Sequence, residues 1–309
     1  MTLNQSALDS INQIASDAFG NTLHETDDSH MIISREGVIS GTQLVVGGAQ
    51  SLAQQRTQER GEQQTSDRVR VLSASYEVKP VYRRFVIDRL DVDGDQSGWV
   101  GSMIAGFAEE AQQLGGRAIW DALVANTLLG PDGVALFSNS HPFSSTGGTN
   151  DNLSGNALSA PEYATARAAL RQLKAENGEV LNTPATHLFV SADLEGKAKE
   201  ITGATRIITV DASGAIDPGA SVLAAAGATN GYAGDSIVVS VPFMSSATWF
   251  LAGLSRPTVR PFAHGWLNRP EYIPATNLDE INRTGEIPFL VQGDLAVGPS
   301  RWELVYGKM

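Results

Sequence analysis

"SGWVGSMIAGFAEEAQQLGGRAIWDALVAN", residues 97 to 126, carries the most regular apolar spacing in the chain. Val100, Met103, Ile104, Phe107, Ala111, Leu114, Ile119, Leu123 and Val124 recur at intervals of three and four, which gathers them on one helical face. Read as one helix, about 30 residues would span roughly 45 Å, longer than most globular helices, with Gly115 and Gly116 as points of bending. Such an element predicts a structural spine.

Just upstream, "DVDGDQSG" sets Asp91, Asp93 and Asp95 at the alternate spacing that begins a calcium loop. The rest of that loop is missing, because Gln96 stands where the turn needs glycine and Ser102 where the ion needs a bidentate glutamate. Carboxylates before a helix predict capping instead. Further upstream, "RVRVLSASYEVKPVYRRFVIDRL" alternates apolar and polar residues, predicting long strands interrupted at Pro80. Between these strands and "MIISREGVISGTQLVVGG", itself read as extended structure or a strand pair, lies "AQSLAQQRTQERGEQQTSD", too poor in large apolar residues to join a core. It predicts a loop projecting on two extended legs. The chain opens with Leu3, Leu8, Ile11, Ile14, Ala15 and Phe19 at helical spacing, and Gly20 is the expected stop.

Downstream of the spine, "LLGPDG" breaks the helix and leads into "LFSNSHPFSSTGGTNDNLSG", residues 136 to 155. Ser138, Ser140, His141 and Asp151 are the parts of a serine hydrolase, but the G-x-S-x-G turn that exposes such a nucleophile does not occur. The favoured reading is a polar loop whose side chains bond the backbone, with Phe137 as anchor and His141 packed or paired. Ser159 and Glu162 have capping-box spacing ahead of an apolar face, ending near Asn177 and Gly178. "THLFVSADLEGKAKEITGA" reads as a buried strand entering a helix, and "SIVVSVPFMSSATWFLAG" as strands. The glycine- and alanine-rich run near 212 to 234 reads as loops with a small-residue helix. "NRPEYIPATNLDEINRTG" reads as a connection between C-terminal strands. The sum is α+β.

Composition narrows function. With no cysteine there is no disulfide framework, thiolate metal site or cysteine nucleophile. A net charge of −12 disfavours broad binding to phosphate backbones. The start lacks a signal-peptide pattern and no run is long enough to span a membrane, which predicts a protein kept in a cytoplasm. "LHETDDSH" spaces its histidines six apart, wrong for a helical zinc pair, and no phosphate loop or dinucleotide fingerprint occurs. No catalytic, cofactor-binding or metal residue is assigned, and the protein is not expected to be an enzyme. Charge is uneven, however. Residues 1 to 34 carry Asp9, Asp17, Glu25, Asp27 and Asp28 with no Lys or Arg, whereas residues 51 to 90 are net basic. Complementary charge between copies would register self-assembly.

In order along the chain, "LNQSALDSINQIASDAF", "FVIDRLDVDGDQSG", "DGVALFSNSHPF", "THLFVSADLEGKAKE" and "VQGDLAVGPSRWELVYGKM" resemble the Mu-like prophage major head subunit family. The sequence departs from that family's aromatic-rich pattern between Thr42 and Asp67, and has Phe143 where asparagine is expected. The resemblance implies the tailed-phage Hong Kong 97 capsid fold. The implied divisions are an N-terminal arm (1–34), an extended loop and its β legs (35–90), a peripheral domain with the spine helix (91–183), an axial domain (184–256) and return strands completing both (257–309). It further implies a major capsid protein assembling as hexamers and pentamers into an icosahedral virion shell around double-stranded DNA, built in a bacterial cytoplasm. Portal, scaffold and decoration proteins are the implied partners, with no membrane and no cofactor. Because the extended loop of such shells lies over a neighbour, Arg56, Arg60, Arg68, Arg70, Arg83 and Arg84 are candidate intersubunit contacts, with Asp9, Asp17, Asp27 and Asp28 on the acidic arm. Lys79 is the first lysine, so no loop lysine is present for an isopeptide link and a non-covalent shell is expected. An encapsulin-like nanocompartment is the alternative within the fold. A serine hydrolase and a calcium-dependent virion adhesin are rivals of other classes.

Overall fold

The structure is a computed structural model that describes residues 5–22, 29–49, 71–94, 98–142, 147–175, 178–203, 206–207 and 228–309. Its helices are α1 (Gln5–Thr22), α2 (Ser29–Ile33), α3 (Arg89–Asp93), α4 (Trp99–Gln112), α5 (Leu114–Ala125), α6 (Ala160–Gln172), α7 (Glu195–Gly203) and α8 (Leu278–Thr284). The strands are β1 (Ser34–Glu36), β2 (Ile39–Ser40), β3 (Gln43–Ala49), β4 (Val71–Glu77), β5 (Lys79–Asp88), β6 (His141–Pro142), β7 (Thr149–Asn150), β8 (His187–Ser191), β9 (Arg206–Ile207), β10 (Ala228–Thr229), β11 (Ile237–Val241), β12 (Trp249–Ala252), β13 (Phe262–Ile273), β14 (Glu286–Pro299) and β15 (Val305–Lys308). The chain divides into two compact units. One gathers Met1–Val46, Ala74–Leu123 and Phe262–Gly298, and the other Gly47–Ser73, Val124–Pro261 and Pro299–Met309. The segment expected as one peripheral domain, 91–183, is thus shared between the units, with the change at Leu123 and Val124.

The first unit is built on a four-stranded sheet of order β1-β13-β14-β5, in which β1 runs parallel to β13 and β14 antiparallel to β5. Alternation along the first ten residues of β14 puts Ile287, Phe289 and Val291 inward. Against this face lie α1 and α4, through Leu8, Ile11, Ala15 and Phe19 from the first and Val100, Ile104, Ala108 and Ala111 from the second. Each large side chain so buried contributes about 1.5–3 kcal/mol, which outweighs the marginal stability of an isolated helix carrying Gly20 in its interior. That burial is why α1 runs through Gly20 to Thr22 instead of stopping there. Asn12 secures the helix by donating to the Ala275 carbonyl (2.8 Å) and accepting from the Tyr272 hydroxyl (3.0 Å), while Phe19 stacks on Tyr272.

The spine is two helices, not one. Gln113 separates α4 from α5, and Arg117 N–H bonds back to its carbonyl at 2.9 Å. Gly115 lies against the Trp266 ring so closely that a Cβ would overlap it, so the glycine permits close packing at the start of α5. At the start of α3, Asp88 accepts from Leu90 N–H, and α4 begins after Gly98 at φ +74°; of the carboxylates expected to cap the spine, Asp95 and the side chain of Asp93 lie outside what is described. The strand break falls at Val78, which donates to the Thr42 carbonyl, and Pro80 sits within β5 opposite Asp294. Pro80 is tolerated because β5 is an edge strand.

The expected strand pair at 31–48 is β2 and β3, turning at Gly41 (φ +66°), and β4 completes a three-stranded sheet of order β2-β3-β4. The legs of the expected loop are therefore paired, while the body of that loop, residues 50–70, lies outside the described residues. The stretch expected as a connection contains more order. β13 continues to Ile273, and α8 follows with Asn277 as its N-cap and Gly285 (φ +77°) as its C-cap.

The second unit centres on a sheet of order β11-β8-β12-β15, with β8 and β11 parallel and α7 as the crossover between them. All four residues of β12 are buried, as a central strand covered on both faces requires. Helix α6 packs on β15; Ser159 caps it by accepting from Glu162 N–H at 3.3 Å. The reciprocal half of the capping box is absent, since the Glu162 carboxylate is taken by Ser154 (2.6 Å) and Asn156 (3.0 Å). The run at 208–227 lies outside the described residues.

Candidate assembly surface and the His141 loop

In the second unit, the described residues between Asn126 and Ser154 are held by side-chain amides and a buried contact between His141 and a carboxylate. Asn126, at φ 48°, donates to the Phe137 carbonyl (2.9 Å) and accepts from Phe137 N–H (3.0 Å). Asn150 repeats that two-way pairing with the backbone of Lys174. Asn152 accepts from Ser138 N–H and donates to the carbonyls of Leu136 and Trp302. Phe137 is the expected anchor, buried against Phe250. His141 has no exposed surface. Its Nδ1 meets the Asp132 carboxylate at 2.6 Å, its Nε2 faces the Leu136 carbonyl at 3.3 Å, and its ring stacks 4.2 Å from Trp302.

This geometry leaves no place for a serine nucleophile beside the ring. Ser138 and Ser140 hydrogen-bond to each other at 3.0 Å, and Asp151 accepts from Leu153 N–H in a local turn. Sequence reading missed Asp132, whose place in a Gly-Pro-Asp-Gly turn gives no hint of a buried partner, and Trp302, which local pattern does not connect to this loop. Among the described residues no group of three His, Asp or Glu side chains could hold a metal, and no helix is long and apolar enough to cross a membrane.

The candidate contact residues fall in the first unit where they are described. Arg83 and Arg84 are successive residues of β5 and therefore point to opposite sides of the sheet. Arg83 turns to the helical side, where it pairs with Glu110 at 3.3 Å with both side chains about half exposed. Arg84 lies opposite Leu290, on a face that also presents Tyr82 and Val86 to solvent. Asp9 and Asp17 are exposed on α1 and each accepts from a glutamine one turn earlier, Gln5 and Gln13. No ion pair joins these aspartates to the arginines among the described residues. Arg56, Arg60, Arg68, Arg70, Asp27 and Asp28 lie outside the described residues.

The β5 edge and the exposed Tyr82 and Val86 beside Arg84 are left uncovered by the described residues. A family model described as phage capsid protein matches residues 73–306. The chain belongs to that family. No curated protein matches it significantly. Among solved structures, the capsid of bacteriophage JBD30 decorated with minor capsid protein trimers is 15% identical, with a TM-score of 0.54 over 70% of this chain and 90% of that one. Mycobacterium phage Patience gives 13% identity and a TM-score of 0.53 over 100% and 90% of the two chains. The virus-like particle from Pyrococcus furiosus gives 9% and 0.50 over 96% and 97%. The fold is the Hong Kong 97-type capsid fold, and the chain is a phage major capsid protein with a structural role.

Proposed function

We propose that this capsid protein is the head subunit of a Mu-like tailed phage or prophage, closing as hexamers and pentamers into an icosahedral shell around double-stranded DNA in the host bacterial cytoplasm. The observation that carries the capsid reading is the family match across residues 73–306; the Mu-like assignment is supported by the sequence resemblance alone. In it, the unit containing the split spine serves as the peripheral domain and the unit containing β8, β11, β12 and β15 as the axial one. The arginines of the extended loop and β5 join neighbouring copies, whose acidic arms supply the opposite charge. The protein has no enzymatic activity and needs no cofactor. Portal, scaffold and decoration proteins are separate chains.

Electron microscopy of the expressed full chain is expected to show uniform closed particles. A stable monomer would overturn the reading. Native particles are expected to hold DNA, and protein cargo in its place would favour the nanocompartment. Because the 32.7 kDa chain has no lysine before Lys79, denaturing electrophoresis of particles is expected to give a single band near that mass. A ladder of multiples would mean covalent links between copies.

A further inference from the structure

His264, in the middle of the first unit, joins the segment following α1 to β13 in an arrangement that tolerates only the neutral ring. β1 runs parallel to β13 with Ser34 opposite Phe262 and Glu36 opposite His264, and Gly37 N–H donates to the His264 carbonyl at 2.7 Å. The Ser34 hydroxyl donates its one proton to the His30 carbonyl (2.7 Å), so it can only accept from Nδ1–H of His264 (3.0 Å). The lone pair of the neutral ring then sits on Nε2, which is buried and has no hydrogen-bond partner among the described residues. His30 approaches edge-on, with ring centroids 5.5 Å apart.

A proton on Nε2 would place an unpaired cationic N–H in the interior beside a second imidazole. Among the described residues no carboxylate is positioned to compensate. Glu36 of β1 is engaged by Arg269 of β13 at 2.7 Å, and Asp294 of β14 accepts from Asn268 at 2.6 Å. The aspartates of α1 are exposed and held by their own helix, α5 pairs Arg117 with Asp121, and β2 and β3 carry no ionisable side chain. Burial, with the charges of His30 and Arg269 adding to it, lowers the His264 pKa to about 4.

We infer that His264, Ser34 and His30 form an acid-releasable clasp that holds the α2–β1 segment on β13. Protonation favours the open clasp, in which the ring reaches water, and leaves α1–α4 packing and the β14–β5 pairing intact. The sign follows from linkage. A histidine with a depressed pKa binds its proton more tightly once released, so the closed form is fully favoured above the ordinary value of 6.5 and loses ground as pH falls toward 4. The open population is expected to rise about 100-fold between pH 7 and pH 4.

Hydrogen–deuterium exchange of the full-length protein, corrected for the intrinsic pH dependence of exchange, tests this. Amides of residues 34–37 are expected to lose protection by that factor across the range while those of 104–111 in α4 keep theirs. In His264→Asn, which retains a donor toward Ser34 but cannot titrate, protection of 34–37 is expected to stay flat. His264→Gln replaces it if that variant does not fold. The inference is overturned if 34–37 stay protected at pH 4, if they open only together with α4, or if the variant opens over the same range as the wild type.

Discussion

The histidine that invited a catalytic reading is a packing device. His141 spends one ring nitrogen on Asp132 and faces the Leu136 carbonyl with the other, so removing the carboxylate strands a buried ring and frees Val134 N–H, which Asp132 also binds. Breaking a buried pair at one partner costs several kcal/mol. Asp132→Ala is therefore expected to lower stability by about 3 kcal/mol, measured by urea unfolding followed by tryptophan fluorescence, whereas Ser140→Ala at the exposed rim should stay within about 0.5 kcal/mol of wild type. Equal small effects would remove the structural role. Beside this pair, burial pushes the Glu303 carboxyl above its ordinary range, with Asp132 adding to the shift and Arg301 and His141 opposing it. The folded protein then keeps a proton that the unfolded chain has released, so this group's contribution falls as pH rises through the raised value. Glu303→Gln is expected to melt higher than wild type at pH 7, with the difference shrinking toward pH 4.

Elements follow local signals where a single helix or strand could satisfy its own needs. The apolar faces of α1 and α4 were legible because burial of Leu8, Ile11, Ile104 and Ala111 follows helical spacing. Ser159 was legible as a cap, and Ser159→Ala should cost about 1 kcal/mol in thermal or urea unfolding, since one N–H of α6 loses its acceptor. An unchanged midpoint would show that Ser154 and Asn156 hold the helix start through Glu162 without it. Elsewhere local reading failed for a common reason. Gly20, Pro80 and the 268–285 stretch carry breaker residues, yet packing of Phe19 against Tyr272, the pairing of β5 with β14, and caps at Asn277 and Gly285 override them. The spine's break at Gln113 has the opposite origin: the apolar period runs through it, and the glycines expected to bend the helix, Gly115 and Gly116, fall just inside α5.

For the whole molecule, folding and assembly make separable demands on charge. Among the described residues Arg83 pairs with the exposed Glu110, a contact worth about 0–1 kcal/mol, and Arg84 forms no ion pair. Arg83→Glu with Arg84→Glu is thus expected to leave the melting temperature of the dissociated subunit within a few degrees of wild type while sharply reducing particle yield. The triple change Arg56→Glu, Arg60→Glu and Arg68→Glu is expected to lower both yield and salt resistance of particles. Unchanged particles in either case would remove the arginines from the interface.

By itself the sequence determined the α+β class, the apolar faces of the long helices, the paired legs before β5, and the absence of cysteine chemistry, because each rests on residue type or short-range period. Only the tertiary structure decided the division of the chain at Leu123 and the partnerships of His141 with Asp132 and Trp302 and of His264 with Ser34. Those depend on which distant segments share a core. The free energy of closing such long loops is set by burial in the finished fold, and no neighbouring residue carries its signature.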